Sequence, residues 1–575
     1  MQKAFLSGLM MEQPLLVSEI LSHAQRCHAS TEIVSRLWSG EIVRTSWGEM
    51  AKRSAQLAQA LQAEGVDIGS GKRIATLAWN GARHLELYYA VPSMGAVLHT
   101  LNPRLFHAQL IYIIQHAEDE IIFVDPHLLP FASALDRALG SVKKWVALCD
   151  ANELTGILAQ FSVQNNALGL SCAALKGLQD YESFIAPFSG EMSWPELPEQ
   201  MACGLCYTSG TTGDPKGVLY SHRSTVLHAL ASALPDVKNL SARDAALPVV
   251  PMFHVNAWGI PYSAGIVGCK LILPGPRVDG DSLFELLDLE GATLTVGVPT
   301  IWMLLLETMR QHGRKPFKLE RISVGGAACP PALSDPFIQE FGIEVNHGWG
   351  MTETSPVGSL SKPRNTTSTV AASTLHHRHG RPLFGVQMEI VDEQGRALPH
   401  DGKATGELLV KGHWVANNYF GAHKENAIPP GEWFHTGDVA NIDTEENIQI
   451  IDRTKDMIKS GGEWISSIAL ENAAMEHPEV QEAAAIGLPH PKWGERPLLL
   501  VVRRERGGEV DESDQANDVL TQGILAIMAK NVARWWLPNA VIFVQSLPRT
   551  ATGKLYKITL RDQYRDFIFP PEQLP

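Results

Sequence analysis

Short apolar segments with strand character alternate with segments of helical periodicity through most of the 575 residues. The pattern predicts a strand at 74–78, a helix at 84–93 and a strand at 97–100, and it predicts a further strand at 120–124. Strands separated by helices form parallel sheets, because a helix is the usual crossover between two parallel strands. We therefore expect an α/β protein whose large N-terminal domain contains stacked, mostly parallel sheets covered by helices.

The pattern changes near residue 385. Segments 387–391 and 407–410 alternate apolar and polar residues around Gly395 and Gly402, which predicts an antiparallel hairpin layer, barrel-like in character. This layer is expected to complete the N-terminal domain.

A compact charged run follows this layer and precedes a small α+β unit. The run marks the expected domain boundary, with residues 1–452 in the N-terminal domain and 453–575 in a C-terminal domain. Residues 151–198 are polar and weakly periodic, and they are expected to form an excursion on the surface.

Bulk composition limits the classes of function. The sequence has 48 basic and 62 acidic residues, and its formal net charge of −14 argues against nucleic-acid binding, because contacts to phosphates need a basic surface. No uncharged apolar run approaches the roughly 20 residues that span a bilayer, so no integral membrane segment is expected. The seven cysteines are few and scattered and no signal peptide is convincing, which makes the cytoplasm the expected location.

The segment YTSGTTGDPKG at 207–217 has the composition of an anion-binding loop. Glycines let the backbone turn tightly, hydroxyl and main-chain N–H groups can donate hydrogen bonds, and Lys216 adds a positive charge. The order of residues differs from a Walker A loop, in which the lysine is followed by serine or threonine. The candidate phosphate ligands are Thr208, Ser209, Gly210, Thr211, Thr212, Gly213 and Lys216.

This loop resembles the nucleotide loop of the acyl-adenylate-forming superfamily, the AMP-binding enzymes, and the resemblance covers nearly the whole chain. The sequence is most similar to the bacterial medium- and long-chain fatty acyl-CoA ligases. The resemblance implies that a carboxylic acid reacts with ATP to give an acyl-adenylate and pyrophosphate, and that CoA then accepts the acyl group. It implies Mg²⁺, ATP and CoA, a mobile C-terminal domain and, as one further expectation, a homodimer.

A second motif, HGWGMTE, follows an expected strand. Its glycines let a planar base lie against the backbone, while Thr352 and Glu353 offer hard oxygen ligands that suit Mg²⁺. The superfamily more often has tyrosine where Trp349 stands, and an indole keeps the stacking surface but cannot replace a phenol hydroxyl. The resemblance assigns the nucleotide to His347, Gly348, Trp349, Thr352 and Glu353, and the metal to Thr208 and Glu353.

Two further segments are assigned to the acyl-adenylate. The turn GGAA follows an expected strand, where parallel sheets open a ligand crevice, and the resemblance places Gly326 and Ala327 at the nucleotide and Gly326 also at the acyl chain. In PMFHVNAW, His254 resembles the residue beside the reacting carboxylate, and Val255 and Trp258 are assigned to the acyl tunnel. Considered alone, His254 and Trp258 are also consistent with ordinary buried side chains.

The last part of the chain contains motifs that the resemblance assigns to ribose, CoA and adenylation. Asp438 would accept hydrogen bonds from the ribose hydroxyls, Arg453 would donate to the same ring or to phosphate, and Lys455 would bind the nucleotide and form the hinge between the domains. Lys554, in PRTATGK, would bridge the carboxylate and the α-phosphate. The remaining assignments are Lys459 to the nucleotide, Ser460, Gly461 and Gly462 to the pantetheine arm, and Trp464 to both.

The resulting hypothesis is an acid–thiol ligase in which Lys554, Glu353, Thr208 and His254 are catalytic. An aliphatic acid of medium or long chain is the expected substrate. Short thio-alkanoic acids of the methylthiopropionate type, aryl acids, and a separate carrier protein as acyl acceptor stay open, as does a catalytically silent nucleotide-binding protein. The run HHRH at 376–379 is expected to be a solvated loop and not a metal site.

Overall fold

The computed structural model describes residues 8–165, 175–208, 214–362, 375–504, 514–549 and 555–570. The predicted site residues Ser209, Gly210, Thr211, Thr212, Gly213 and Lys554 lie outside these ranges. The architecture is the expected mixture of helices with parallel and mixed sheets. Within the described ranges, no helix has both the length and the apolar character needed to cross a membrane.

The first sheet is built from the strand–helix alternation near the N-terminus. Its strand pairs are parallel except at one edge, where Gly217–Ser221 runs antiparallel to Ala202–Tyr207. The segment 207–217, called the phosphate loop below, connects these two strands. The predicted strand at 97–100 is confirmed, and the helix predicted at 84–93 extends over Ala82–Ser93. From edge to edge the strands are Gln179–Asp180, Lys144–Ala147, Ile121–Val124, Arg73–Leu77, Val97–Thr100, Ala202–Tyr207 and Gly217–Ser221.

The second sheet is parallel at its centre and antiparallel at both edges. Its strands, in spatial order, are Arg381–Pro382, Val357–Leu360, Glu344–Gly350, Arg321–Val324, Leu294–Gly297, Ala245–Pro248, Lys270–Leu273, Glu32–Arg36 and Ile42–Ser46. The helices that accompany the two sheets are Val17–Cys27, Trp47–Ala63, Ala82–Ser93, His107–Ala117, Leu129–Asp136, Ala151–Asn165, Tyr181–Ile185, His222–Ala233, Ile260–Val267, Gly280–Glu290, Pro299–His312 and Pro331–Gln339.

One apolar core joins the two sheets. It contains Ile74 and Leu98 of the first sheet, Leu271 and Val296 of the second, and Tyr88 of the helix between them. Every residue from 84 to 93 in that helix is buried. A helix that is buried on all sides lies inside a core, and this one contacts strands of both sheets.

The prediction that 151–198 is a surface excursion is wrong for its second half. Gln179–Asp180 is an edge strand of the first sheet, and the Tyr181 side chain is completely buried. The Tyr181 hydroxyl donates to the Glu86 carboxylate, which also forms an ion pair of 2.7 Å with Arg53. Tyr181 therefore forms a hydrogen bond with a buried polar group of the core. A segment with such a role contains polar residues, as an exposed segment does, although part of it is buried.

The antiparallel layer predicted after residue 385 is confirmed. Its strands, in order across the sheet, are Val386–Val391, Gly406–Gly412, Phe434–Ile442 and Ile448–Arg453.

The C-terminal segment forms a separate α+β layer. Its sheet contains, in order, Glu463–Ile465, Ile458–Ser460, Gly494–Arg503 and Val480–His490, with Ala540–Phe543 parallel to Gly494–Arg503. Its helices are Ser467–Met475, Asp514–Asn531 and Lys557–Gln563. Asp452 connects it to the preceding layer, because its carboxylate accepts a hydrogen bond of 2.6 Å from the backbone N–H of Ser467. The division at 452/453 stays a prediction.

Candidate active site

A cavity of about 760 Å³ opens where several strands of the two sheets end. Thr208 follows Ala202–Tyr207, and Gly325 and Gly326 follow Arg321–Val324. The 348–353 segment runs through the last residues of Glu344–Gly350 and beyond. Parallel sheets open their ligand crevice at the carboxyl ends of the strands, so the fold itself creates this space. The predicted site residues in its wall are Thr208, Lys216, His254, Val255, Trp258, Gly326, Gly348, Trp349, Thr352, Glu353 and Arg453.

The two ends of the phosphate loop are held together. The backbone N–H of Thr208 donates to the Lys216 carbonyl at 2.9 Å, and the Lys216 N–H donates to the Thr208 hydroxyl at 3.3 Å. The Lys216 ammonium lies 4.9 Å from the centre of the Tyr419 ring, a cation–π distance. The described ends of the loop therefore bring the Thr208 hydroxyl, the Lys216 ammonium and the Asp214 carboxylate to the cavity.

Glu353 is a buried carboxylate in the cavity wall, with 6% of its surface exposed. The Tyr419 hydroxyl donates to its Oε1 at 2.7 Å, and its backbone carbonyl accepts from the N–H of Ala416 at 2.7 Å. The neighbouring Thr352 carbonyl accepts from the Tyr220 hydroxyl at 2.8 Å. Within the described part of the chain, the second carboxylate oxygen of Glu353 has no protein hydrogen bond. This arrangement holds one oxygen in place and leaves the other available.

Trp349 connects the cavity to Asp438. Its indole N–H donates to Asp438 Oδ2 at 2.7 Å, and Arg453 Nε lies 3.2 Å from Asp438 Oδ1. Asp438 and Arg453 are register partners on neighbouring antiparallel strands. Trp349 and Arg453 line the cavity, whereas Asp438 is 4% exposed and lies just behind them. The indole thus supplies a hydrogen bond of its own at the position where the superfamily more often has tyrosine.

His347 and Ala327 do not line the cavity, although the sequence assigned both to the nucleotide. The His347 ring is buried and packs against His379 with ring centres 4.1 Å apart, and burial lowers the pKa of His347 to about 4. His347 pairs with Val324 inside the parallel sheet, whereas the cavity begins one residue further along. Ala327 is exposed beside Gly326.

The segment after the strand Ala245–Pro248 has an unusual backbone. Val255, Asn256, Ala257 and Trp258 have φ values of 47°, 54°, 45° and 55°, so four consecutive non-glycine residues form a left-handed turn. Left-handed conformation costs roughly 1–2 kcal/mol per residue, and such strain is concentrated at functional sites. The turn places Val255 and Trp258 in the cavity wall next to His254.

The predicted CoA residues lie outside the cavity wall. The Lys459 ammonium is 5.0 Å from the Trp464 ring centre, the Ser460 hydroxyl accepts from Arg496 at 3.0 Å, and Trp464 is 40% exposed. Gly461 and Gly462 have φ values of 61° and 92°, which suit glycine. Lys455 lies exposed in a turn, and partial desolvation of its ammonium lowers its pKa.

The run HHRH at 376–379 is not a solvated loop, because His376 and His379 are buried. Asp335 Oδ1 lies 2.7 Å from Nε2 of both His376 and His377. These hydrogen bonds join the segment to the helix Pro331–Gln339.

The sequence did not point to several residues of the cavity wall. Tyr419 holds Glu353, Lys238 bonds to the end of the left-handed turn, and His116 shares a hydrogen bond of 2.6 Å with Tyr207. These residues stand alone in irregular segments or on the edge of a helix, where no spacing identifies them. Other wall residues of this kind are Tyr112, Asn418, Phe420 and Asn426, while Phe434 and Thr436 come from the strand Phe434–Ile442.

Comparison with known proteins agrees with this geometry. The AMP-binding enzyme family matches residues 21–420, and the AMP-binding enzyme C-terminal domain matches 469–554. A 3-methylmercaptopropionyl-CoA ligase of Ruegeria lacuscaerulensis is 46% identical, with 98% of this chain and 99% of the relative covered. A medium-chain-fatty-acid–CoA ligase of Ectopseudomonas oleovorans is 45% identical, with 98% of each covered.

A solved structure supports the fold. The crystal structure of an anthranilate CoA ligase in complex with anthranoyl-AMP superposes with a TM-score of 0.81 at 21% identity, covering 96% of this chain and 98% of that one. The chain therefore belongs to the AMP-binding enzyme family, in its group of acyl-CoA ligases.

Proposed function

We propose that the chain activates an aliphatic carboxylic acid of medium to long chain with ATP and transfers the acyl group to CoA. The observation that supports this is the shared cavity, in which Thr208, Lys216 and Glu353 face the same space as Val255 and Trp258. Its volume of about 760 Å³ lies within the range of roughly 300–1,000 Å³ that is common for small-molecule sites. The polar part of the wall suits the phosphates of ATP, and the apolar part suits an acyl chain. A cavity with both parts suits a reaction between a carboxylic acid and ATP.

In the first half-reaction, a carboxylate oxygen attacks the α-phosphorus of ATP and pyrophosphate leaves. No protein nucleophile is needed, because positioning and charge neutralisation lower the barrier. Lys216 and Lys554 would supply positive charge to the phosphates, and His254 would orient the carboxylate. The product is an acyl-adenylate, whose ribose Asp438 would hold.

The residues present fit a magnesium site. The Thr208 hydroxyl and the Glu353 carboxylate are hard oxygen ligands, and Tyr419 fixes only one oxygen of Glu353. Bound there, Mg²⁺ would neutralise phosphate charge as pyrophosphate departs.

In the second half-reaction, the CoA thiolate attacks the acyl carbonyl carbon and AMP leaves. Ser460, Gly461, Gly462 and Trp464 lie outside the cavity wall, so their role in this step requires a movement. We propose that residues 453–575 rotate about Lys455, withdrawing Lys554 and presenting this segment. Dimerisation of the chain stays a prediction.

The decisive experiment separates the two half-reactions. ATP–pyrophosphate exchange is measured with acids from C3 to C18 and one aryl acid, and thioester formation is measured separately from supplied acyl-adenylate. Lys554→Ala should lower exchange by about a hundredfold or more, about 3 kcal/mol, and leave thioester formation nearly unchanged. Lys530→Ala, at an exposed lysine of the helix Asp514–Asn531, is the charge-matched control. Equal loss in both half-reactions would refute the division of roles.

A second candidate substrate is 3-(methylthio)propionate, because the relative from Ruegeria lacuscaerulensis is named for that acid and is 46% identical. The same exchange assay decides between the candidates. A kcat/KM for 3-(methylthio)propionate above that for every straight-chain acid would replace the medium- to long-chain assignment.

A further inference from the structure

Lys238 is a buried cation in the wall of the cavity. It lies between the helix His222–Ala233 and the strand Ala245–Pro248, with 1% of its surface exposed. Buried lysines are normally paired with a carboxylate. Among the described residues Lys238 has no acidic partner, and the acceptor of its side chain is the Trp258 carbonyl at 2.8 Å.

The surroundings of Lys238 disfavour its charge. Burial lowers the pKa of the Lys238 ammonium to about 7. The pKa of His228 is held well below its ordinary value by burial and, in second place, by the charge of Lys238 itself. Burying a lysine amine without a carboxylate is unfavourable in free energy. We therefore expect the amine of Lys238 to form hydrogen bonds that an apolar side chain of similar length could not form.

One hydrogen bond of Lys238 has an evident structural effect. The Trp258 carbonyl is the last of the left-handed turn, and Lys238 caps it. The Trp258 ring in turn lies 3.0 Å from the position that a Cβ on Gly325 would occupy, so the ring is confined against the cavity floor. Lys238 therefore fixes the turn that carries Val255 and Trp258.

The second use of the amine follows from the number of its N–H groups. A lysine side chain has two N–H donors when neutral and three when charged, and the Trp258 carbonyl takes one. No other acceptor is present among the described residues, and the open space that Lys238 borders is the cavity. A buried donor without an acceptor is unfavourable, so a bound molecule that supplies one gains affinity.

We propose that Lys238 is a specificity-determining residue that favours carboxylic acids with a hydrogen-bond acceptor in the chain, such as an ether, hydroxyl or carbonyl oxygen, over plain alkanoates. This inference rests on the proposed function, since it names the class of acyl chain that the same cavity takes. The turn orients Trp258, and the amine recognises the oxygen that passes beside it.

The test uses a series of decanoate analogues in which one methylene at a time is replaced by an ether oxygen. ATP–pyrophosphate exchange gives kcat/KM for each analogue relative to decanoate. In the wild-type protein, one ether position should show a kcat/KM about tenfold above that of decanoate and of the neighbouring ethers, equivalent to about 1.4 kcal/mol. In Lys238→Met, which keeps length and removes the donors, this maximum should disappear.

Each outcome decides a different question. Absence of exchange with every acid in the wild-type protein would refute the proposed function. Exchange with a flat ether profile in the wild-type protein would refute the inference alone, whether or not Lys238→Met folds. Equal loss for decanoate and all ethers in Lys238→Met, with the maximum kept, would show that Lys238 only supports the turn and would also overturn the inference. Lys238→Gln retains N–H donors and should keep a smaller maximum at the same position.

Discussion

The hydroxyl of Tyr419 gives the sharpest test of the proposed Mg²⁺ site at Glu353. It donates to Glu353 Oε1 at 2.7 Å, while the Tyr419 ring lies under the Lys216 ammonium at 4.9 Å. Tyr419→Phe removes the first contact and keeps the second. A hydrogen bond to a charged group contributes about 1.5–3 kcal/mol, which corresponds to a change of roughly tenfold to a hundredfold. We expect Tyr419→Phe to release the Glu353 carboxylate and weaken Mg²⁺ binding by this factor.

The assay is ATP–pyrophosphate exchange measured against Mg²⁺ concentration at saturating acid. Half-maximal exchange should need about tenfold or more Mg²⁺ in Tyr419→Phe, with a smaller effect at saturating metal, since the hydroxyl positions the ligand and does not react. Tyr112→Phe, which removes another phenol of the cavity wall, should leave the Mg²⁺ dependence unchanged. The reasoning is refuted if Tyr419→Phe and the wild-type protein have the same Mg²⁺ dependence, because Glu353 would then not need its orientation.

The hinge and a buried histidine give two more testable expectations. Lys455→Pro should block thioester formation while exchange persists, whereas Lys455→Ala should support both, and normal overall turnover of Lys455→Pro would remove the hinge assignment. His222 accepts the Val17 N–H at 3.2 Å, and burial lowers its pKa to about 4. The unfolded chain then binds the proton first as pH falls from 6.5 to 4, so the free energy of unfolding should decrease by about 3 kcal/mol over that range. Chemical denaturation of His222→Gln should show a correspondingly flatter pH dependence, and equal slopes would contradict the assignment.

Periodicity is sufficient to predict most of the fold. The helix Ala82–Ser93 and the strands Val97–Thr100 and Ile121–Val124 agree with the sequence pattern to within a few residues, because a short apolar run predicts a buried strand and a longer periodic segment predicts a helix. The 151–198 region differs from its prediction because the burial of Tyr181 depends on Glu86 and Arg53, which lie far away in sequence. Composition alone cannot distinguish a polar side chain in water from one whose partner is inside the core.

Site residues can be predicted from the sequence where they belong to a motif with a fixed order of residues. Thr208 and Glu353 lie at strand ends in ordered motifs, and the structure brings both to one cavity. Tyr419 and Lys238 escape prediction because their effect depends on a tertiary contact with Glu353 in one case and with the Trp258 carbonyl in the other. Motif membership alone does not indicate which residues reach the cavity: His347 is the last residue of its strand to pair with Arg321–Val324, and the cavity wall begins at Gly348.

The bonds at Asp438 would allow a tryptophan to replace tyrosine in this motif while Asp438 keeps the ribose-binding role that is proposed for it. A carboxylate offers about four acceptor positions, two on each oxygen. Trp349 uses one on Oδ2 and Arg453 uses one on Oδ1, so one position remains on each oxygen. Those two positions match the two hydroxyls of a ribose, and the two bonds already present fix the plane of the carboxylate. Because Trp349 lies in the cavity wall and Arg453 begins the expected C-terminal domain, a rotation there would loosen one of these bonds while the indole kept the other, so the carboxylate could retain the adenylate between the two half-reactions.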